Sequence, residues 1–203
     1  MATYTWVDLK IPEATLLADL NGILWDLQRA REFAKMLIAE FDAPTPNWQL
    51  VEPLSIAITV TYSRAFSEGV RHHLQEADLE TFSESQRNSH NFIRAYRDKH
   101  VAHSVNEFEE NIARANYCTE RVNDEGIISI GCGGGRVTSL SRADAQAVID
   151  LATVLETHVQ SRIKREQERL LIIVRSMPVG TVLDGGQKAF VTSNAKVAER
   201  RKP

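Results

Sequence analysis

Residues 16–41 read LLADLNGILWDLQRAREFAKMLIAEF, and this stretch decides the fold class. Its apolar side chains recur at steps of three and four residues, the period of one face of an α-helix, and charged side chains fall between them. The apolar stripe consists of Leu16, Leu20, Ile23, Leu27, Ala30, Ala34, Leu37 and Phe41. The pattern predicts a helix of about thirty residues after Pro12. The run DAPTPN at 42–47 ends it, because two prolines cannot continue a helix.

Three further segments predict helices. The run VEPLSIAITVTYSRAFSEGVRHHL (51–74) contains β-branched residues that could form a strand, but its length favours a buried helix that starts near Pro53 and runs on through Phe66 and Val70. Residues 79–104 form a third candidate. Residues 141–177 predict a long fourth helix, which Ser141 and Asp144 open with a capping arrangement. We therefore predict an all-α, four-helix-type bundle.

The region 110–138 interrupts the helical period. ARANYCTERV, then NDEG, then IISIGCGGG predict two short strands around a turn, which is a β-hairpin insert. The run GCGGGR at 131–136 lacks the Gly-Lys-Ser/Thr ending of a phosphate loop and is interpreted as a flexible turn after a strand. The chain is predicted to form one helical domain over 1–177, followed by a loosely ordered tail over 178–203.

Composition narrows the class of protein. The chain has 203 residues, a net charge of -3, 43% apolar and 25% charged residues, so it predicts a globular protein in which any nucleic-acid partner needs a local basic patch. Two cysteines are too few for a disulfide framework or a four-cysteine zinc site. The start carries no signal-peptide pattern, and no apolar run reaches the ~20 residues of a membrane span. We expect a cytoplasmic protein without a membrane segment, metal or cofactor.

The segment RAYRDKHVAHS (94–104) concentrates charged and titratable groups. On a helix at 100° per residue, Ile93, Tyr96, Arg97, His100 and His103 share an arc of about 120°. Ile93 and Tyr96 mark the face that is covered, so the three polar side chains should lie in a cleft or a subunit interface, because burying them fully is costly. The residues that point elsewhere are Arg94, Asp98 and Ala102.

A guanidinium beside an imidazole suits phosphodiester chemistry. The guanidinium of Arg97 can hold phosphate oxygens, and His103 can move a proton near neutral pH, so the pair could activate a ribose 2′-hydroxyl. The two residues are about 9 Å apart along the helix axis, a gap that two copies packed across a dyad could close. The alternatives are a buried polar network around Arg97, or a zinc site at His100 and His103, for which no third ligand is evident.

RDKHVAH (97–103) resembles the Arg-polar-x-x-x-x-His signature of the HEPN superfamily, helical domains of many prokaryotic toxins and defence proteins. YSRAF (62–66) resembles a segment that accompanies this signature in abortive-infection-like HEPN proteins. The resemblance implies a helical bundle, a homodimer with two motifs in one cleft, and metal-independent endoribonuclease activity in the catalytic members. It also implies a toxin or phage-defence role and an antitoxin or defence partner protein.

The resemblance assigns roles to single residues. Arg97 and His103 match the catalytic pair, and Asp98 matches the polar residue after the arginine. The supporting or substrate-binding residues are Asp98, His100, Tyr62 and Arg64. Val105 stands where one toxin branch has a tyrosine, which argues against that branch. Some members cleave nothing, so the alternative is a non-catalytic helical module that binds a nucleotide, RNA or a protein.

Overall fold

The computed structural model describes residues 7–101, 109–118, 126–137 and 139–183, which are mostly helical with one two-stranded antiparallel hairpin. This confirms the prediction of a helical protein with a β insert. No helix in these ranges is long and apolar enough to cross a membrane. The helices are α1 Thr15–Asp42, α2 Trp48–Arg64, α3 Glu84–Tyr96, α4 Arg142–Ser176 and the short α5 Val179–Leu183; the strands are β1 Glu109–Tyr117 and β2 Ile127–Arg136.

The core lies where α1 packs against α2 and α4. The predicted stripe of α1 is buried from Leu20 to Leu37, with Leu16 and Phe41 partly buried at its two ends. The stripe predicted on α4 is also buried, and it consists of Val148, Leu151, Leu155, Val159 and Ile163. Both helices therefore form for the reason that the sequence predicts, which is that each has one apolar face to cover.

Polar contacts fix α1 and α4 as antiparallel neighbours. Near one end Arg142 forms a two-pronged ion pair with Asp42, with both N–O distances 2.9 Å. Midway, Arg31 Nη1 lies 3.0 Å from Glu156 Oε2. Near the other end, the Arg169 guanidinium donates to the Glu13 carbonyl, 2.9 Å away. Residue numbers rise along one helix as they fall along the other, so contact extends over most of the length of α1.

Helix α2 departs from its predicted bounds at both ends. It begins at Trp48 rather than near Pro53, because the Asn47 side chain accepts a hydrogen bond from the Gln49 N–H at 3.2 Å. Pro53 lies inside the helix, where its ring removes one backbone hydrogen bond. Pro53 and Gln49 are both exposed, so water can satisfy the carbonyl that is left without its helical donor. The helix ends at Arg64, before Phe66.

The predicted start of α4 is correct and is tied to α2. The Ser141 side chain accepts from the Asp144 N–H at 3.1 Å, and the Asp144 carboxylate accepts from the Ser141 N–H at 2.9 Å. The preceding residue, Leu140, is buried, and its N–H donates to the Ser55 hydroxyl at 3.1 Å. Ser55 thus connects the middle of α2 to the start of α4 inside the core.

Substitution of Ser55 by alanine should lower the free energy of unfolding by about 2 kcal/mol, because the buried Leu140 N–H loses its acceptor. Urea denaturation followed by circular dichroism measures the change. Ser161→Ala is the matched control, because its hydroxyl is exposed and bonds to the His158 carbonyl of its own helix, and it should change stability by less than about 0.5 kcal/mol. Equal effects of the two substitutions would contradict the structural role of Ser55.

The two strands of the hairpin make most of their contacts with each other. Its strands pair from Glu109 with Arg136 to Tyr117 with Ile127, and the described side chains along them are nearly all exposed. The glycine-rich run lies inside β2, so the interpretation of residues 131–136 as a turn is wrong. Gly134 has a steric reason to be glycine, because a Cβ there would collide with the Glu110 carbonyl of the facing strand.

The predicted tail begins with a helix and then leaves the described part of the chain. Residues 179–183 form α5, which follows α4 after Met177 and Pro178. The remaining residues of the predicted tail, 184–203, lie outside the described residues.

Candidate functional site

The charged segment of the sequence lies at the end of α3. Ser83 and Gln86 form a reciprocal capping box at the start of this helix. Its last turn continues as a π-helical turn over Arg97–Val101. A π turn is wider than an α turn, so residues after Arg97 no longer advance by 100° each. The faces of residues 98–101 therefore cannot be read from an ideal helical wheel.

Arg97 and Asp98 form a surface pair on this turn. The Arg97 Nη1 donates to Asp98 Oδ1 at 2.7 Å, and the two side chains are 42% and 57% exposed. His100 is 9% exposed, and its ring centroid lies 4.8 Å from that of Tyr96. Ile93, Tyr96 and His100 are thus buried as expected for the covered face, and Arg97 lies at its edge, within reach of solvent. His103 lies outside the described residues, so its pairing with Arg97 stays a prediction.

Tyr62 lies in the core rather than at the surface. It is fully buried, and its hydroxyl lies 2.9 Å from Nδ1 of His90, which is buried as well. The rings of Phe66 and Phe82 pack around the imidazole, with centroids 4.6 and 6.3 Å from it. This polar pair connects α2 to α3. No sequence pattern marks His90, because nothing in a single sequence distinguishes this histidine from an exposed one.

Burial disfavours the charged form of both members of this pair. It raises the pKa of Tyr62 far above its usual range, so the phenol stays protonated. Burial, with the nearby Arg94 guanidinium second, lowers the pKa of His90 to about 4. At neutral pH the imidazole is therefore neutral, and one of its nitrogens can pair with the Tyr62 hydroxyl.

This pKa predicts that the protein loses stability in mild acid. Between pH 6.5 and 4 the unfolded chain binds a proton at His90 and the folded chain does not, so acid favours unfolding. From pH 7.5 to pH 5 this group should lower the free energy of unfolding by about 2 kcal/mol. Urea titrations at the two pH values measure the loss. A His90→Gln variant should show a loss smaller by that amount, and an unchanged loss would contradict the assignment.

Arg64 lies at the C-terminal end of α2, against α1. Its Nε is 3.5 Å from Asp26 Oδ1, and its side chain is 59% exposed. Arg71 makes the closer contact, with Nη2 at 2.8 Å from Asp26 Oδ2. Gly22 makes room for this guanidinium, because a Cβ there would lie 3.1 Å from Arg71 Nη1. The sequence predicted a role for Arg64, but it gave no sign that Asp26, a buried carboxylate, would position it.

The segment that links α2 to α3, residues 65–83, is held against α1 and α4 by hydrogen bonds to carboxylates. Asp19 accepts a hydrogen bond from the His72 N–H at 2.9 Å. Asp78 accepts from His158 Nε2 and from Arg162 Nη1, both at 2.8 Å. Burial alone would raise the pKa of Asp78, but the Gln75 N–H, His158 and Arg162 together outweigh it and lower that pKa. The carboxylate is therefore charged at neutral pH and joins the linking segment to α4.

A cavity of about 400 Å³ lies between this linking segment and α3. Arg94 and Phe66 line one part of it, with the Arg94 guanidinium carbon 5.8 Å from the centroid of the Phe66 ring. His73, Gln75 and Glu76 line another part. The helical wheel placed Arg94 away from the arc of Arg97, and the structure directs it to this cavity. Arg94 and His73 are thus candidate functional residues that were not predicted from the sequence.

The residues predicted to act together fall in three places. Arg97, Asp98 and His100 share the π turn, Tyr62 is in the core with His90, and Arg64 lies against Asp26. Among the described residues, no group of three His, Cys, Asp or Glu side chains could hold a metal ion. Comparisons of the chain with protein-family models, with curated proteins and with solved structures found no match.

Proposed function

We propose that this protein is a HEPN-type endoribonuclease, a four-helix-type bundle that acts as a homodimer and serves as a toxin or in phage defence. The observation that supports this proposal most is the exposure of Arg97 and its position on the π-helical turn. Its guanidinium reaches solvent and is held by Asp98, on a widened helical turn that ends at Val101, two residues before His103 in the sequence. Irregular turns of this kind often occur at functional sites.

In the proposed reaction Arg97 binds the scissile phosphate. A guanidinium has five N–H donors, and one of them is used on Asp98, so donors remain for phosphate oxygens. His103 removes the proton of the ribose 2′-hydroxyl, and the 2′-oxygen attacks phosphorus. The bond to the 5′-oxygen breaks, and that oxygen takes up a proton. The products are a 2′,3′-cyclic phosphate and a 5′-hydroxyl end.

The remaining predicted residues support this site from different positions. Tyr62 acts through His90 as a brace between α2 and α3, since it has no exposed surface. His100 packs on Tyr96 beneath the turn. Arg64 is exposed enough to contact RNA from the end of α2. In the homodimer, the second copy brings its own Arg97 and His103 to the same cleft.

The second candidate function is a non-catalytic module that binds a nucleotide, RNA or a protein. The cavity beside Arg94 favours it, because about 400 Å³ is a usual size for a small-ligand site and its lining combines an arginine, an aromatic ring and two carboxylates, Glu68 and Glu76, which can orient a polar ligand. In that case the Arg97–Asp98 pair is a structural brace and no cleavage occurs.

Incubation of a labelled RNA pool with the purified protein in EDTA separates the two functions. Cleavage that leaves 2′,3′-cyclic phosphate ends supports the nuclease, and light scattering of the same sample tests the homodimer. Binding of RNA without cleavage by a folded, dimeric protein would favour the second function. A protein that neither binds nor cleaves RNA would contradict the proposal.

A further inference from the structure

One face of α4 carries a row of basic side chains. His158, Arg162, Arg165 and Arg169 are spaced by four, three and four residues, which places them on the same side of the helix. The three arginines border a cavity of about 230 Å³, whose apolar wall is formed by Leu16 and Leu20 of α1. The three arginines therefore lie beside a recess between α1 and α4.

Two of the three arginines are fixed in place. Arg162 donates to Asp78 at 2.8 Å and to His72 Nε2 at 2.9 Å. Arg169 donates to both carboxylate oxygens of Glu166, at 2.6 and 2.9 Å. Their side chains therefore lose little further conformational freedom when a ligand binds.

Arg165 supplies the positive charge that is not balanced within the row. It is exposed and lines the cavity, and no carboxylate in the described part of the chain lies within ion-pair distance of it. Asp78 and Glu166 together offset two of the three guanidinium charges. Glu13 also acts on the charge of Arg169. What the recess offers a phosphate is therefore the exposed guanidinium of Arg165 together with spare N–H donors on two arginines whose positions are fixed.

We propose that this arginine row binds the phosphodiester backbone of RNA, which rests on the proposed ribonuclease function. Guanidinium forks match phosphate oxygens, and a polynucleotide presents such groups at regular intervals. Arg162 and Arg169 are about 10 Å apart along the helix axis, more than one phosphate covers. The row belongs to α4 and Arg97 to the end of α3, so RNA that contacts both is longer than one nucleotide.

Fluorescence anisotropy with a labelled single-stranded RNA tests this surface. A fully 2′-O-methylated RNA is the probe, because it lacks the attacking hydroxyl and stays intact. Arg165→Ala should weaken binding about 5-fold and reduce the slope of log K against log salt by about 0.7 to 1, the loss of one phosphate contact. Lys164→Ala is the matched control, since it removes the same charge one residue away, where the helix points about 100° from the row.

Each outcome decides between defined alternatives. If the wild-type protein binds RNA and the two variants bind it equally, the arginine row is not an RNA surface, while the nuclease proposal stands. If the wild-type protein neither binds this probe nor cleaves unmodified RNA, both proposals fail. Displacement of the RNA by millimolar inorganic phosphate at constant ionic strength would assign the row to a free anion and overturn the RNA surface. Thermal melts of both variants show that they remain folded.

Discussion

Replacement of Arg97 by alanine should lower the rate of RNA cleavage by about 10²- to 10³-fold, the usual effect of removing a group that stabilises charge in the transition state. The guanidinium is 42% exposed and is held by one neighbouring carboxylate, so its removal should leave the fold intact. His103→Ala should cause a loss of about 10²- to 10⁴-fold, the range expected for an acid–base group. Initial rates on labelled RNA, with melting curves of the same samples, measure both effects.

Two further variants make this result specific. Lys99→Ala removes an exposed cation from the same turn and should leave the rate within about 2-fold of wild type. Arg97→Lys keeps the charge but loses the planar fork, so its rate should lie between those of wild type and Arg97→Ala. Wild-type cleavage by Arg97→Ala would remove this residue from the reaction. A large drop in its melting temperature would instead identify the Arg97–Asp98 pair as a brace of the fold.

Asp78→Ala should lower the free energy of unfolding by about 3 kcal/mol, because it breaks one cluster of charge-assisted hydrogen bonds. The carboxylate accepts from His158, Arg162 and the Gln75 N–H, the last at 2.8 Å, and its side chain is mostly buried. Removal of the carboxylate takes away the acceptor of His158 and the charged partner of Arg162, which keeps its contact with His72. It also releases the linking segment from α4.

Urea denaturation at pH 7 measures this loss, with Asp150→Ala as the control. Asp150 is an exposed carboxylate on α4 that accepts from Gln146, so its removal should cost less than about 0.5 kcal/mol. The pKa of Asp78 is lowered in the folded state, so its contribution is complete above its unfolded pKa of about 3.9 and is lost as pH falls through the folded value. If the difference in the free energy of unfolding between wild type and Asp78→Ala stays constant down to the lowest pH, the stabilisation does not come from the charged Asp78 carboxylate.

The helices were predictable where one apolar face repeats over many turns. The stripe from Leu20 to Leu37 fixes α1, and the Ser141–Asp144 cap fixes the start of α4 to the residue. The start of α2 could not be predicted from the sequence. Proline favours the first turn of a helix, but Pro53 lies inside this one. Its exposure makes that position tolerable, and exposure is a property of the assembled fold.

The candidate site was predictable only in part, for a related reason. The helical wheel placed Ile93, Tyr96 and His100 on the covered face, and all three are buried. It could not anticipate the π turn, which begins at Arg97 and changes the direction of each later side chain. It also could not pair Tyr62 with His90, 28 positions away in sequence, because a contact between two helices leaves no periodic signal.

The antiparallel pairing of α1 with α4 has a consequence for the chain during synthesis. Asp42, at the end of α1, forms its ion pair with Arg142, which is synthesised 100 residues later. The carbonyl of Glu13 bonds to Arg169, which is synthesised 156 residues later. At about 5–20 residues per second, the ribosome delivers the first of these partners at least about 5 seconds after α1. During that interval α2 and the segment that follows it can pack against α1, but α4, which has the largest contact with α1, is not yet available. We therefore expect the part of the α1 stripe that faces α4 to lack its partner until synthesis is nearly complete.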